Sequence, residues 1–358
     1  MRAAVLYEFG SPLVVRDIDL DAPKDGEVLV RLAASGVCRS DWHTVQGIHP
    51  HRLPVVLGHE GSAVVEQVGP GVRGLAPGDH VVLSWLPYCG ACARCISGRP
   101  NLCERMQTFD EGRLADGTSR MHADGVDVSH NVPSSFAERA VVPANTAIAI
   151  DPSLPLEQAA LLGCAVMTGV GAILNTARVR PGQSVAVVGC GGVGLSAIQG
   201  ARIAGASSIV AIDVVPAALE HARALGATEV VDAGRADPAG ATRPADVVVE
   251  CLGHADTIEL AASLTAPGGT TVLVGMAPPD ARPGIAALDM TLGERTVTGC
   301  WYGSCVPPRD FPMLVDLVRS GELRVDAMIG RTFALDDVND ALALFERGGD
   351  RRSVLAFD

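Results

Sequence analysis

The chain has 358 residues, 48% of them apolar, and a formal net charge of −13; at about 100–200 residues per domain, that length suggests two domains. No uninterrupted apolar run reaches the roughly 20 residues needed to span a bilayer, and Met1 to Pro12 has neither the basic nor the apolar segment of an export signal. Negative charge spread along the chain opposes nucleic acid and anionic lipid as partners, so a soluble, cytoplasmic protein acting on small molecules is expected.

The N-terminal part reads as short β segments punctuated by glycine and proline. Val28 to Ala33, Gly61 to Val68 and His80 to Ser84 are predicted strands, with turn signals such as Pro77-Gly78-Asp79 between them. Phe109 to Ser135 is polar with few periodic apolar positions and is expected to be a long surface loop. Beyond Pro155 the texture changes. Leu156 to Leu174 is rich in alanine and leucine and predicts a helix. Strand and helix signals then alternate: Val185 to Val188, a glycine loop, a helix through Ala204, Ile209 to Ile212, Pro216 to Leu225, Val247 to Cys251 and Thr271 to Gly275. Such alternation predicts an α/β unit, a doubly wound parallel sheet with helices on both faces.

Ten cysteines in a chain with no export signal point to metal or redox chemistry rather than disulfides. Four of them, Cys89, Cys92, Cys95 and Cys103, form C-x2-C-x2-C-x7-C in a loop broken by Pro87, Gly90, Gly98 and Pro100. Short loops let four thiolates converge at about 2.3 Å on one tetrahedral ion, and with all four positions used such a site is structural. Zinc is the expected occupant. An iron–sulfur cluster is the alternative, although its bacterial cysteine run is spaced more tightly at its end.

Val185 to Gly194 places G-x-G-x-x-G directly between a predicted strand and a predicted helix, the context a dinucleotide loop requires. Gly189 permits the tight turn, Gly191 the approach of pyrophosphate, and Gly194 close helix–strand packing, with Gly192 and Val193 opening the helix. Asp213 ends the next strand at the separation expected of a ribose-binding acid. Its charge would repel a 2′-phosphate, so NAD is expected over NADP.

Taken singly, Cys38, His59 and Cys164 carry little signal, because a lone cysteine is most often a small core residue. Together the segments Gly36 to His43, Gly58 to Gly61, Gly163 to Gly169 and Gly189 to Gly194, the four-cysteine lobe between them, and Arg352-Ser-Val-Leu resemble the signature segments of zinc-dependent medium-chain alcohol dehydrogenases, in order and over the whole chain. The resemblance implies a GroES-like, mostly β catalytic domain over residues 1–165 and 302–358, with the structural zinc lobe at 86–105, and a Rossmann domain over 166–301. It implies two zinc ions per chain, NAD as cofactor, and a homodimer or homotetramer. By the same resemblance Cys38, His59 and Cys164 hold a catalytic zinc, a ligand set that general metal-site rules already illustrate with alcohol dehydrogenase. Asp41 is expected to orient His59, and Glu60 to lie behind the metal, where it would assist ligand exchange or pair with an arginine. Ser40 and His43 match the family's proton relay. Arg39 and Arg352 match pyrophosphate contacts, and Thr168 a further cofactor contact. The family's lysine after the ribose acid is replaced by Ala218.

Positions lining the family's substrate pocket fall on Trp85, Met276, Trp301 and Tyr302, which suits primary alcohols or aldehydes with flat or apolar groups. Asp116-Gly-Thr-Ser-Arg120 resembles a loop of glutathione-dependent formaldehyde dehydrogenases, yet the carboxylate-binding arginine of that class falls on Gln107 and its acidic pocket position on His49. Arg105 and Arg120 lie close enough in sequence to substitute. Trp301-Tyr-Gly-Ser-Cys with Arg309-Asp-Phe-Pro resembles bacterial members, mycothiol-dependent formaldehyde dehydrogenases among them. A thiol-dependent formaldehyde dehydrogenase, or S-nitrosothiol reductase, is therefore the alternative to an alcohol dehydrogenase. An NAD-binding structural or sensor protein of the same fold is the non-enzymatic alternative, and it would be expected to have lost a zinc ligand or the relay.

Overall fold

The computed structural model describes residues 1–106, 111–345 and 351–357. The chain divides into two compact units. One comprises Met1–Cys164, Val306–Ser320 and Val325–Asp358, and the other Ala165–Cys305 with Gly321–Arg324.

The first unit is built mainly from two sheets. The larger has the order Ala147–Ala149, His80–Leu83, Glu60–Val68, Glu27–Gly36, Arg352–Ala356, Ile329–Phe333, with Arg139–Pro143 also paired to Glu27–Gly36. Val28, Val30 and Leu32 alternate into a core shared with Ala63, Val65, Val81 and Leu83. This is the period-2 pattern of a strand with one face on the core.

The long loop expected at 109–135 is departed from within its described part, residues 111–135. Met121–Ala123 and Val126–His130 form an antiparallel hairpin whose turn residues, Asp124 and Gly125, both have positive φ. Asp-Gly is the preferred pair for such a turn and was the signal available in the sequence. Buried charge holds this hairpin in place. Arg120 has no exposed surface and bonds both oxygens of Glu27, at 2.9 and 2.6 Å, and Asp116 at 2.9 Å.

The second unit is a six-stranded, wholly parallel sheet in the order Glu229–Asp232, Ser208–Asp213, Ser184–Val188, Ala245–Glu250, Thr265–Leu273, Thr296–Gly299. In chain order of these strands this is 3-2-1-4-5-6, the Rossmann arrangement. Its central strands, Val185–Val188 and Val247–Val249, are continuous apolar runs because helices cover both faces. Tyr302, expected with the first domain, falls in this second unit, because Gly303 packs on the carbonyl of Met167 and on Gly171, where a Cβ would come within 2.3 and 2.9 Å.

The predicted helix at 156–174 runs on to Ala177 and is not uniform. It widens to i→i+5 bonding over Leu162–Val166 and Ala172–Ala177. By length and composition Leu156–Ala177 could cross a bilayer, but 83% of its most apolar window is buried inside the protein, which marks a core helix.

Candidate active site and metal centres

The register between Glu27–Gly36 and Glu60–Val68 pairs Gly36 with Glu60. The chain therefore leaves one strand toward Cys38 beside the point where it enters the other from His59. Cys38 then caps the helix Arg39–Val45. Gly36 is required here, since a Cβ would meet a Glu60 carboxylate oxygen at 2.0 Å. Cys164 arrives from the helix segment Leu162–Val166, whose wider turn re-aims its side chains. Gly163 lets that turn press onto the carbonyl of Leu83, 2.7 Å from where a Cβ would stand. As a result the ligand atoms of Cys38, His59, Glu60 and Cys164 all lie within 4.8 Å of one another, in buried surroundings.

Asp41 organises this cluster. Its Oδ1 accepts from the Gly58 backbone N–H at 3.1 Å and lies 3.0 Å from His59 Nδ1, and its Oδ2 accepts from the Cys38 N–H at 3.0 Å. A proton on Nδ1 leaves Nε2 of His59 with its lone pair for a metal. Burial pushes the Glu60 carboxyl up to about 7, with the neighbouring Cys38 charge adding to the effect, although Arg352 opposes it from 2.5 Å. A hydrogen bond from Cys164 favours the Cys38 thiolate against the cost of burial, and Arg352 and His59 add to it. Arg352, expected to meet pyrophosphate, is thus the arginine paired with Glu60.

Ser40 and His43 lie one turn apart on the helix that Cys38 caps, with Ser40 Oγ 3.7 Å from Cys38 Sγ. The His43 ring stacks edge-on with His49 at 5.4 Å. Arg39 is exposed, its guanidinium 5.5 Å from the Phe345 ring. Trp85, also in this unit, is half-buried just after His80–Leu83.

The four-cysteine lobe forms a second cluster, with the sulfurs of Cys89, Cys92, Cys95 and Cys103 also within 4.8 Å of one another. Backbone N–H groups of Ala91 and Cys92 donate to Cys89, that of Cys95 to Cys92, and that of Cys89 to Cys103. Bonds from the Cys95 and Glu104 backbones bring the Cys92 thiol down to about 6. Burial and neighbouring thiols push Cys95 up to about 12. A cation would remove that penalty, so the donor set fits a thiolate-bound metal.

In the second unit Gly189 has φ +91°, and a Cβ on Gly194 would stand 1.8 Å from the Gly189 carbonyl oxygen. A Cβ on Gly191 would meet nothing within 4 Å, which leaves that side of the loop open at the start of the helix Gly192–Ile203. Thr168 is buried on Met167–Gly171, and Gly169 lets that segment pack on the carbonyl of Val193. Met276 and Trp301 follow the C-terminal ends of parallel strands, 40% and 43% exposed, whereas Tyr302 is buried at 2%. Glu250, at the end of Ala245–Glu250, was not anticipated. Its Oε1 accepts from Leu252 N, Gly253 N and Thr257 Oγ1, all at 2.8 Å, and nothing in a single sequence marks that role.

One expectation about thiol recognition changes. Arg120 is consumed by Glu27 and Asp116 inside the protein and offers no charge to a ligand. Gln107 lies outside the described residues, and Arg105 is exposed.

A Rossmann sheet and two Cys-rich ligand clusters in one chain are the marks of a zinc-binding dehydrogenase. The family description "Alcohol dehydrogenase GroES-like domain" matches residues 24–152, and "Zinc-binding dehydrogenase" matches residues 192–320. An NDMA-dependent alcohol dehydrogenase of Amycolatopsis methanolica is 37% identical over 99% of this chain and 98% of its own length. An S-(hydroxymethyl)glutathione dehydrogenase of Paracoccus denitrificans is 35% identical over 99% of each chain. The crystal structure of benzyl alcohol dehydrogenase from Acinetobacter calcoaceticus superposes with a TM-score of 0.94, at 32% identity, over 100% of this chain and 99% of that one. The chain belongs to the zinc-dependent medium-chain alcohol dehydrogenase family.

Proposed function

We propose that the chain oxidises primary alcohols to aldehydes, and catalyses the reverse, with NAD as hydride acceptor and two zinc ions per chain. The observation that carries this reading is the buried convergence of Cys38, His59 and Cys164, with Asp41 fixing the tautomer of His59. Zinc held there would act as a Lewis acid that lowers the pKa of the alcohol, and NAD would take the hydride.

The protein's own groups do the rest. Ser40 Oγ takes up the alcohol proton as it gives up its own hydroxyl proton, and His43 passes a proton onward to solvent, a task suited to an imidazole. Glu60, held by Arg352, would assist ligand exchange at a metal bound there. Asp213 binds the ribose hydroxyls, and Gly189, Gly191, Gly192, Val193 and Gly194 admit the pyrophosphate, with Arg39 and Thr168 as further contacts, while Arg352 is engaged by Glu60 instead. The second zinc is held by Cys89, Cys92, Cys95 and Cys103. Trp85, Met276 and Trp301 favour flat or apolar substituents, and the likeness to a benzyl alcohol dehydrogenase supports that choice. We further propose a homo-oligomeric, cytoplasmic enzyme.

Thiol-dependent formaldehyde oxidation is the second reading, favoured by the likeness to the S-(hydroxymethyl)glutathione dehydrogenase. The buried state of Arg120 counts against it, because binding a carboxylate calls for an available cation and of the two candidate arginines only Arg105 is exposed.

The test combines metal content with a substrate panel. Wild type should carry two zinc ions per chain and reduce NAD with benzyl and short aliphatic alcohols without added thiol. Cys164→Ser should lose one zinc and the activity while staying folded. A single zinc in active wild type would overturn the two-site assignment. Turnover of formaldehyde only with glutathione or mycothiol present, and none of free alcohols, would establish the second reading instead.

A further inference from the structure

We infer that Asp213 braces the glycine loop, so that removing it costs dinucleotide affinity beyond the loss of its own ribose contacts; this rests on the reading of Asp213 as the ribose acid of an NAD site. The loop is tied to the end of Ser208–Asp213 by two successive bonds. Gly189 N–H donates to the Ile212 carbonyl at 2.8 Å, and Cys190 N–H donates to Asp213 Oδ2 at 2.6 Å. Asp213 Oδ1 accepts from Val215 N–H at 2.9 Å, which fixes the carboxylate from its other side.

The loop has no slack to absorb the loss of this tie. Gly189 sits at φ +91° with Leu252 side-chain atoms 2.7 Å from where a Cβ would stand, and Gly194 closes on the Gly189 carbonyl. The Cys190 side chain is wholly buried, its thiol pushed far up by burial and then by Asp213, so it offers no thiolate chemistry of its own. Each carboxylate oxygen has room for about two hydrogen bonds. One on each is used by the backbone, which leaves one on each for the two ribose hydroxyls. A residue without the carboxylate therefore strands the Cys190 N–H as well as losing the ribose.

The experiment uses the full-length, zinc-loaded protein. Hydrogen exchange of the Cys190 amide is followed without nucleotide, and NADH and NADPH dissociation constants are measured by fluorescence. Asp213→Gly should speed Cys190 exchange by at least about tenfold and weaken NADH binding, while NADPH binding, even freed of the carboxylate's repulsion, stays weaker than NADH binding to wild type. Asp213→Asn, whose amide oxygen can still accept one of the two bonds, should give intermediate exchange and serves if the glycine variant does not fold. Unchanged Cys190 exchange in both variants would overturn the brace, as would a reciprocal switch in which Asp213→Gly binds NADPH as tightly as wild type binds NADH. Equal NADH and NADPH affinity in wild type would instead overturn the NAD reading, and the exchange result would stand apart from it.

Discussion

At the scale of single residues, the site depends on a few groups that fix others. Asp41 makes three contacts, to Cys38 N, Gly58 N and His59 Nδ1, and thereby positions two of the proposed metal ligands and favours a proton on Nδ1 of His59. Gly36 has no side chain because Glu60 occupies that space. His43 carries the most direct prediction. An amide cannot accept and release a proton, so His43→Gln should slow alcohol oxidation by about 10²-fold or more, most severely at neutral and lower pH. Small diffusible bases should restore part of the rate. A pH–rate profile matching that of wild type would mean that the proton leaves by another route.

Among the elements, the four-cysteine lobe depends most on something other than packing. Its helix Ala93–Ile96 contains no buried residue, and Ile96 is 75% exposed. With no buried apolar cluster among the described residues of the lobe, its proposed zinc would supply what packing does not, because metal–thiolate bonds contribute folding free energy. Cys95→Ser should therefore release the structural zinc, expose the segment 89–103 to limited proteolysis and lower the melting temperature. Zinc retained in full by a protease-resistant Cys95→Ser protein would show that the lobe stands without the metal. The hairpin at 121–130 presents the opposite case. Its approach segment is anchored by the buried Arg120–Glu27 pair rather than by a ligand. The resemblance of residues 116–120 to a thiol-recognition loop was legible, but the burial of Ser119 and Arg120 was not, because polarity is the usual sign of a surface loop and here the Arg120 and Glu27 charges satisfy one another.

For the whole molecule, that same network implies a pH dependence of stability. His130 is buried, accepts from Arg120 N–H at Nε2, and burial with the Arg120 and Arg113 charges brings its pKa down to about 3. The unfolded chain takes up a proton there near pH 6.5, which the folded chain refuses until about pH 3. Stability is thus fully present above the unfolded value and falls as pH drops through this window, by about 2 kcal/mol between pH 7 and pH 5. His51, whose pKa burial also lowers, adds in the same direction. Asp116, held below the usual carboxylate range by Lys24, Thr118 and Arg120 against burial, contributes only at more acid pH. Urea unfolding at the two pH values should show the loss, and His130→Gln should shrink it. An equal loss in the variant would assign the effect elsewhere.

By itself the sequence determined the parallel sheet, the glycine loop with its acid, and the spacing of the four-cysteine lobe. Each of these is written in local order: apolar runs between helices, glycines at fixed offsets, and cysteines close enough to share an ion. The meeting of Cys38, His59 and Cys164 was legible only through resemblance, because no periodicity links three residues so far apart. Tertiary structure brings them together through the Gly36–Glu60 register and the widened helix turn at Cys164. It alone decided that Arg352 pairs with Glu60, that Arg120 is buried, and that Asp213 reaches back to the Cys190 amide. Those are choices of partner for charged groups, which desolvation and geometry settle only after the backbone has closed around them.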